Sequence, residues 1–259
     1  MKKSAMNILL LRFDAPLMSF GAPIVDNRGE IQPYPALSMM TGLLGNALGF
    51  DHADTEAIEQ LQRRLLYAVR QDRAGERIQD YQTVDLSKSY MDDARAWTTR
   101  GELETRKGGS ASSSTHIRQR DYWADAAYTV ALTLNPTGQT PTLDDVARAV
   151  QKPERPLFIG RKPCLPASFL FLKQTEAPNL VDALSNLEKA PLALEPDDPS
   201  SLRAWWPIHP DDDKPSESDP IQENMRKPVT DQRDWENQIH AGQRWIAYGP
   251  LSISESSPS

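Results

Sequence analysis

DTEAIEQLQRRLLYAVRQD, residues 54–72, contains the switch of pattern that decides the fold. Over DTEAIEQLQRR (54–64), Ile58 and Leu61 recur at helical spacing with Leu65, and they mark one apolar helix face. LLYAVRQD (65–72) then has the apolar character and length of a strand. Upstream, PALSMMTGLLGNALG (35–49) sets Leu37, Met40, Leu44 and Leu48 near helical spacing and stops at Gly49. NILLLRF (7–13) before it is an apolar run of strand length. Downstream, past a long polar stretch, AAYTVALTL (126–134) alternates Tyr128, Val130, Leu132 and Leu134 with smaller residues, as a strand does. PTLDDVARAV (141–150) predicts a short helix with Thr142 as N-cap and acids in its first turn. SFLFLK (168–173) closes the set as a strand. Strand, helix, strand, insertion, strand, helix, strand predicts an α+β fold, a ferredoxin-like βαββαβ domain over residues 1–190. Residues 191–259 form a C-terminal extension, irregular or a small β unit, and no repeat period appears.

The chain of 259 residues can bury a substantial core, and its 39% hydrophobic and 25% charged content is ordinary for a globular protein. A single cysteine, Cys164, excludes an internal disulfide and fits a reducing compartment. The start, MKKSAMNILLLRFD, has only the apolar run ILLL before Arg12, too short for a signal peptide or a membrane span. A cytoplasmic protein with no membrane partner is the expectation. The net charge of −7 is unevenly spread: Glu195 to Pro220 carries eight acids against Arg203 and Lys214. That stretch, with six prolines, predicts an acidic disordered loop over about 195–220. Lys88 to Arg120 instead holds seven Lys/Arg against four Asp/Glu, so a locally basic surface faces any phosphate backbone.

Within that basic stretch, ETRKGGSASSSTHIRQRDYWAD (104–125) joins two cationic arms through the flexible run GGSASSS. Arg106 and Lys107 lie on one arm; His116, Arg118, Arg120 and Tyr122 lie on the other. Period-two spacing puts Arg118, Arg120 and Tyr122 on one strand face. A hairpin with a cationic, aromatic face is one reading and a solvated surface loop the other. Catalytic constellations are sparse. The histidines at 52, 116, 209 and 240 have no metal-ligand spacing, TGLLGNALG lacks the lysine of a phosphate loop, and Ser19, Ser38 and Ser168 lack a nucleophile elbow. No metal or cofactor is expected.

Five segments in order carry a family resemblance. LLRFDAPLMSFG, YPALSMMTGLLGNALGF, DYQTVDL, RDYWADAAYTVAL and RPLFIGRKPCLP resemble, in that sequence, the motifs of the CasD family of type I-E CRISPR Cascade, within the RAMP superfamily. The match runs over roughly residues 10 to 166. It implies a ferredoxin-like, RRM-like subunit that holds the 5′ handle of a crRNA beside the Cascade backbone and large subunits, acting on target DNA indirectly. It also implies a β-hairpin thumb over about residues 88–120. The RNA contacts so implied are Arg106, Lys107, His116, Arg118, Arg120 and Tyr122 on the thumb, with Gly160, Arg161 and Lys162. Two departures matter. Leu37 stands where the family carries Lys or Arg, so that contact is lost or passes to Arg28. The family's C-terminal signature is found only loosely as Arg226-Lys227-Pro228, which makes Arg226 and Lys227 further candidates. A crRNA-processing endoribonuclease is the alternative, drafting His116 with Tyr34 or Tyr81, but Thr115 stands where such relatives place a lysine. The leading expectation is non-catalytic.

Overall fold

The computed structural model describes residues 5–22, 28–85, 95–97, 103–105, 115–188, 202–212, 215, 221–223 and 225–253. From the N-terminus come β1 (Met6–Asp14), β2 (Leu17–Met18), β3 (Arg28–Gly29), α1 (Leu37–Leu48), α2 (Thr55–Arg64), β4 (Leu65–Arg73) and β5 (Glu76–Asp85). Then follow β6 (Arg95–Trp97), β7 (Leu103–Thr105), β8 (Thr115–Ala124), β9 (Ala127–Leu134), α3 (Leu143–Gln151), β10 (Phe171–Ala177) and α4 (Leu180–Ser185). The chain closes with β11 (Leu202–Ile208), β12 (Met225–Val229), β13 (Arg233–Asp234), β14 (Ile239–His240) and β15 (Arg244–Leu251). The fold is mixed α+β, rich in sheet and poor in helix.

The main sheet has seven strands in the order β10-β1-β9-β4-β11-β15-β12, and every pairing in it is antiparallel. β1 and β9 occupy its interior with both faces covered, which is why their side chains are buried almost throughout, the threonines of β9 included. Leu9, Leu11 and Phe13 of β1 pack into the core shared with α1 and α3, while Ile8 and Leu10 pack toward α4 on the other face. Gly49 takes φ +83 and ends α1, with Phe50 N–H donating to the Gly45 carbonyl. Thr142 and Asp145 form a reciprocal capping box at the start of α3.

The helix α1 has no side-chain N-cap of its own. Its first N–H, from Leu37, donates to Asp231 Oδ2 at 3.0 Å, and Ser38 N–H donates to the Asp231 carbonyl at 2.9 Å. Arg244 holds that carboxylate from β15 at 2.8 and 2.7 Å, and its guanidinium lies over the ring of Tyr67. On β4, fully buried Arg70 pairs with Asp72 at 2.6 Å and donates to the carbonyls of Leu184, Leu187 and Glu188. It thereby satisfies carbonyls at the end of α4, a task cations suit.

Two expectations are corrected here. The stretch 195–220, expected as an acidic disordered loop, contains β11, with Ala204, Trp205 and Trp206 buried in the sheet. The short apolar run LRAWWPI supplies both sheet faces, and the acids and prolines around it hide it when composition is averaged. The C-terminal strands accordingly continue the main sheet. The strand expected at 168–173 begins only at Phe171, because Leu170 is buried with its carbonyl accepting from Arg12 N–H, where the β1 ladder shifts register. Among the described residues no helix is long and apolar enough to cross a membrane.

Candidate nucleic-acid interface at the root of a ribbon

β5 and β8 form a ten-pair antiparallel ribbon, from Glu76 opposite Ala124 to Asp85 opposite Thr115. Directly opposed residues share a face. One face therefore carries Arg118 beside Gln82, Arg120 beside Asp80 and Tyr122 beside Ile78. The other carries Ile117 beside Thr83 and Gln119 beside Tyr81. At the root, β3 runs parallel to β8, with Arg28 opposite Gln119 and Gly29 opposite Arg120, and β2 pairs at the foot. β6 and β7 pair with each other in the stretch between β5 and β8. Arg106, Lys107 and the run GGSASSS lie outside the described residues, as does the side chain of His116, whose backbone pairs with Val84.

Arg161 fixes this root. Its guanidinium lies 5.0 Å from the ring centroid of Tyr122 and donates to the carbonyls of Asp121 at 2.9 Å and Gly29 at 3.0 Å. A Cβ at Gly29 would come within 2.4 Å of Arg161 Nη2, so a larger residue there would push the guanidinium from this position. Beneath it, Asp121 is buried. Burial alone would raise its pKa, but hydrogen bonds from Arg77 and Gln79 and the charges of Arg77 and Arg161 hold it below the ordinary carboxylate range.

Several predicted site residues have other tasks. Tyr122 is 2% exposed and covered by Arg161, so its face is not offered to a base. Gly160, at φ +101, is glycine because its Cβ would stand 1.9 Å from the Ser19 carbonyl oxygen, a demand of the backbone rather than of a phosphate. Arg161 is committed to Tyr122, Asp121 and Gly29 and acts by positioning. Arg226 is held by Glu223 and by the Asp212 carbonyl, each at 2.6 Å. Tyr34 is 1% exposed with Lys227 above its ring at 5.6 Å. Burial foremost, and then Asp231 against Arg244, pushes its pKa up to about 12, which disqualifies it as a proton carrier near neutrality. Tyr81 stands 56% exposed on the ribbon, and no hydrogen bond joins it to Tyr34 among the described residues.

Four further cations lie on or beside the ribbon. Arg28, Arg118 and Lys162 are exposed and Arg120 is half-buried, and among the described residues none of the four has an ion-pair partner. Arg73, Arg77, Arg148, Arg155 and Arg244 are all paired with carboxylates. Asp80, opposite Arg120, instead accepts from Gln82 Nε2 at 2.6 Å. On the ribbon face of Arg118 and Arg120, and at Lys162 next to the Arg161 clamp, positive charge stands free of ion pairs, while Arg28, opposite Gln119, lies on the other face of the ribbon. Such cations can take up phosphate oxygens without first breaking an internal salt bridge. What sequence reasoning missed is the clamp, since nothing local tells that Arg161 reaches Gly29.

The family described as CRISPR-associated protein (Cas_Cas5) matches residues 8–247 of the chain. The CRISPR system Cascade subunit CasD of Escherichia coli (strain K12) is 32% identical over 182 residues, spanning 70% of this chain and 76% of that protein. Among solved structures, a chain of a CRISPR RNA-guided surveillance complex superposes with a TM-score of 0.60 at 21% identity, covering 96% of this chain and 91% of that one. A Cas protein crystal structure superposes with a TM-score of 0.52 at 23% identity, covering 97% of this chain and 100% of that one. These two share the fold.

Proposed function

Because the chain belongs to the CRISPR-associated Cas5 family, we propose that it is a non-catalytic Cascade subunit that binds and caps the 5′ handle of crRNA. The observation that carries this reading is the set of unpaired cations Arg118 and Arg120 on one ribbon face, with Lys162 beside the Arg161 clamp at its root. Phosphates of the handle lie across these side chains, and Arg161 keeps β3 and β8 at the spacing they require. The four strands β1, β4, β9 and β10, with α1 and α2 in the first crossover and α3 in the second, support reading the body as ferredoxin-like. The β5/β8 ribbon is the base of the thumb, which touches the RNA and the backbone subunit. The large subunit sits beside the handle, and through it target DNA is engaged. Tyr34 is unavailable for proton transfer, which favours binding over cleavage.

The experiment is the pair Arg118→Ala and Arg120→Ala in one chain, with affinity for a repeat-derived RNA measured across salt concentrations. Losing two phosphate contacts lowers affinity and reduces the slope of log K against log salt by about 1.4, at about 0.7 per single-strand phosphate. Unchanged affinity and slope would remove the ribbon root from the RNA interface.

A further inference from the structure

The loop that follows Gly160 carries a side chain that folding does not explain. Phe169 is 84% exposed, the most exposed large apolar side chain among the described residues, and Leu165 in the same loop is 56% exposed. The loop is rigidly held. Cys164 and Leu170 are buried at its two ends, Ile159 N–H donates to the Cys164 carbonyl at 2.8 Å, and Ala167 N–H donates to the Asp14 carbonyl at 2.8 Å. Pro163 and Pro166 stiffen it further. A phenyl ring fixed in water loses the stabilisation that burial would give, and among the described residues none covers it.

We infer that Phe169 is a stacking platform for one unpaired base of the RNA whose phosphates lie on Lys162 and its cationic neighbours. The inference rests on the RNA-binding reading above. Lys162 and Phe169 belong to one loop, seven residues apart, and so lie within about 25 Å even for a fully extended chain. A cation to follow the backbone and an exposed aromatic ring to receive a base are the two parts by which single strands are held. Size separates this from a protein-docking surface. One phenyl ring offers about 150–250 Å², whereas a stable interface buries about 800 Å² on each partner. Leu165 is the other exposed large apolar side chain of the loop, and with Phe169 it still falls well short of that area. The ring matches one base.

The test uses the full chain and a single-stranded RNA of mixed sequence without self-complementarity. Phe169→Ala should weaken binding about 5- to 150-fold, the effect of losing one stacked base. It should leave the salt slope unchanged, because stacking releases no counterions, whereas Lys162→Ala should lower that slope by about 0.7. Phe169→Tyr should bind like the parent, and Phe169→Leu, apolar but not flat, should bind like Phe169→Ala. Parent-like affinity in Phe169→Ala overturns the inference and leaves the RNA-binding reading standing, as does full rescue by Phe169→Leu. Parent-like RNA affinity with loss of a self-association would make Phe169 a protein contact, and the inference falls. A parent chain that does not bind the RNA takes down both.

Discussion

Asp231→Ala removes a side chain that joins the C-terminal strands to the start of α1. The carboxylate is 1% exposed and accepts Leu37 N–H at 3.0 Å and Arg244 at 2.8 and 2.7 Å. Loss of a helix cap costs about 1 kcal/mol. Stranding the partner of a buried ion pair costs about 3–5 kcal/mol, and the low end applies because Arg244 keeps its bond to Tyr67 Oη at 2.6 Å and is 15% exposed. The sum is about 4 kcal/mol, a large part of the roughly 5–15 kcal/mol that separates folded from unfolded chains. Urea denaturation followed by circular dichroism should show the midpoint falling with little change in m-value. The melting temperature should drop by about 8–16 °C, at about 2–4 °C per kcal/mol for a chain of this size. Asp231→Asn keeps an oxygen for Leu37 N–H but no charge, so it should lose less than Asp231→Ala. A loss below about 1 kcal/mol in Asp231→Ala would refute the reasoning, since even a cap alone is worth that much. So would identical losses in the two variants.

Two further outcomes are expected. Gly160→Ala should destabilise by about 1–3 kcal/mol, the scale of strain at a forced backbone, whereas Gly21→Ala, with nothing within 4 Å of its Cβ, should stay within about 0.5 kcal/mol; equal effects in a thermal melt would contradict the close approach to Ser19. The purified chain should leave a repeat-derived RNA at full length with or without divalent metal, and a product ending in a 2′,3′-cyclic phosphate that disappears in His116→Ala would establish the nuclease alternative.

Elements whose identity is written locally were legible in the sequence. β1 and β9 are buried on both faces and carry apolar residues through most of their length, and Thr142 and Gly49 mark helix ends through their own backbone chemistry. Arg118, Arg120 and Tyr122 do share a strand face, as period-two spacing requires. What was illegible depends on contacts distant in sequence. Arg161 covers the ring of Tyr122 and the Ser19 carbonyl sits beside Gly160, contacts that nothing near those residues in the sequence foretells. The strand over Leu202–Ile208 was lost because its acidic, proline-rich flanks dominate any window that includes it. Phe169 was read into a strand that begins only two residues later.

The place of β4 in the sheet has a consequence for how the protein is made. β4 pairs with β9 on one side and with β11 on the other. A ribosome that has finished Arg73 must add the chain up to Leu202 before that second partner exists. At about 5–20 residues per second, this leaves a nascent sheet edge open for on the order of ten seconds. Open edges recruit strands from other chains, and inward-pointing charge is one of the devices that deters them. Arg70 and Asp72 are charged residues on that very strand, fully buried once the protein is complete. In the finished molecule they form a salt bridge; during synthesis they place charge on an open sheet edge, the kind of feature that discourages pairing with other strands.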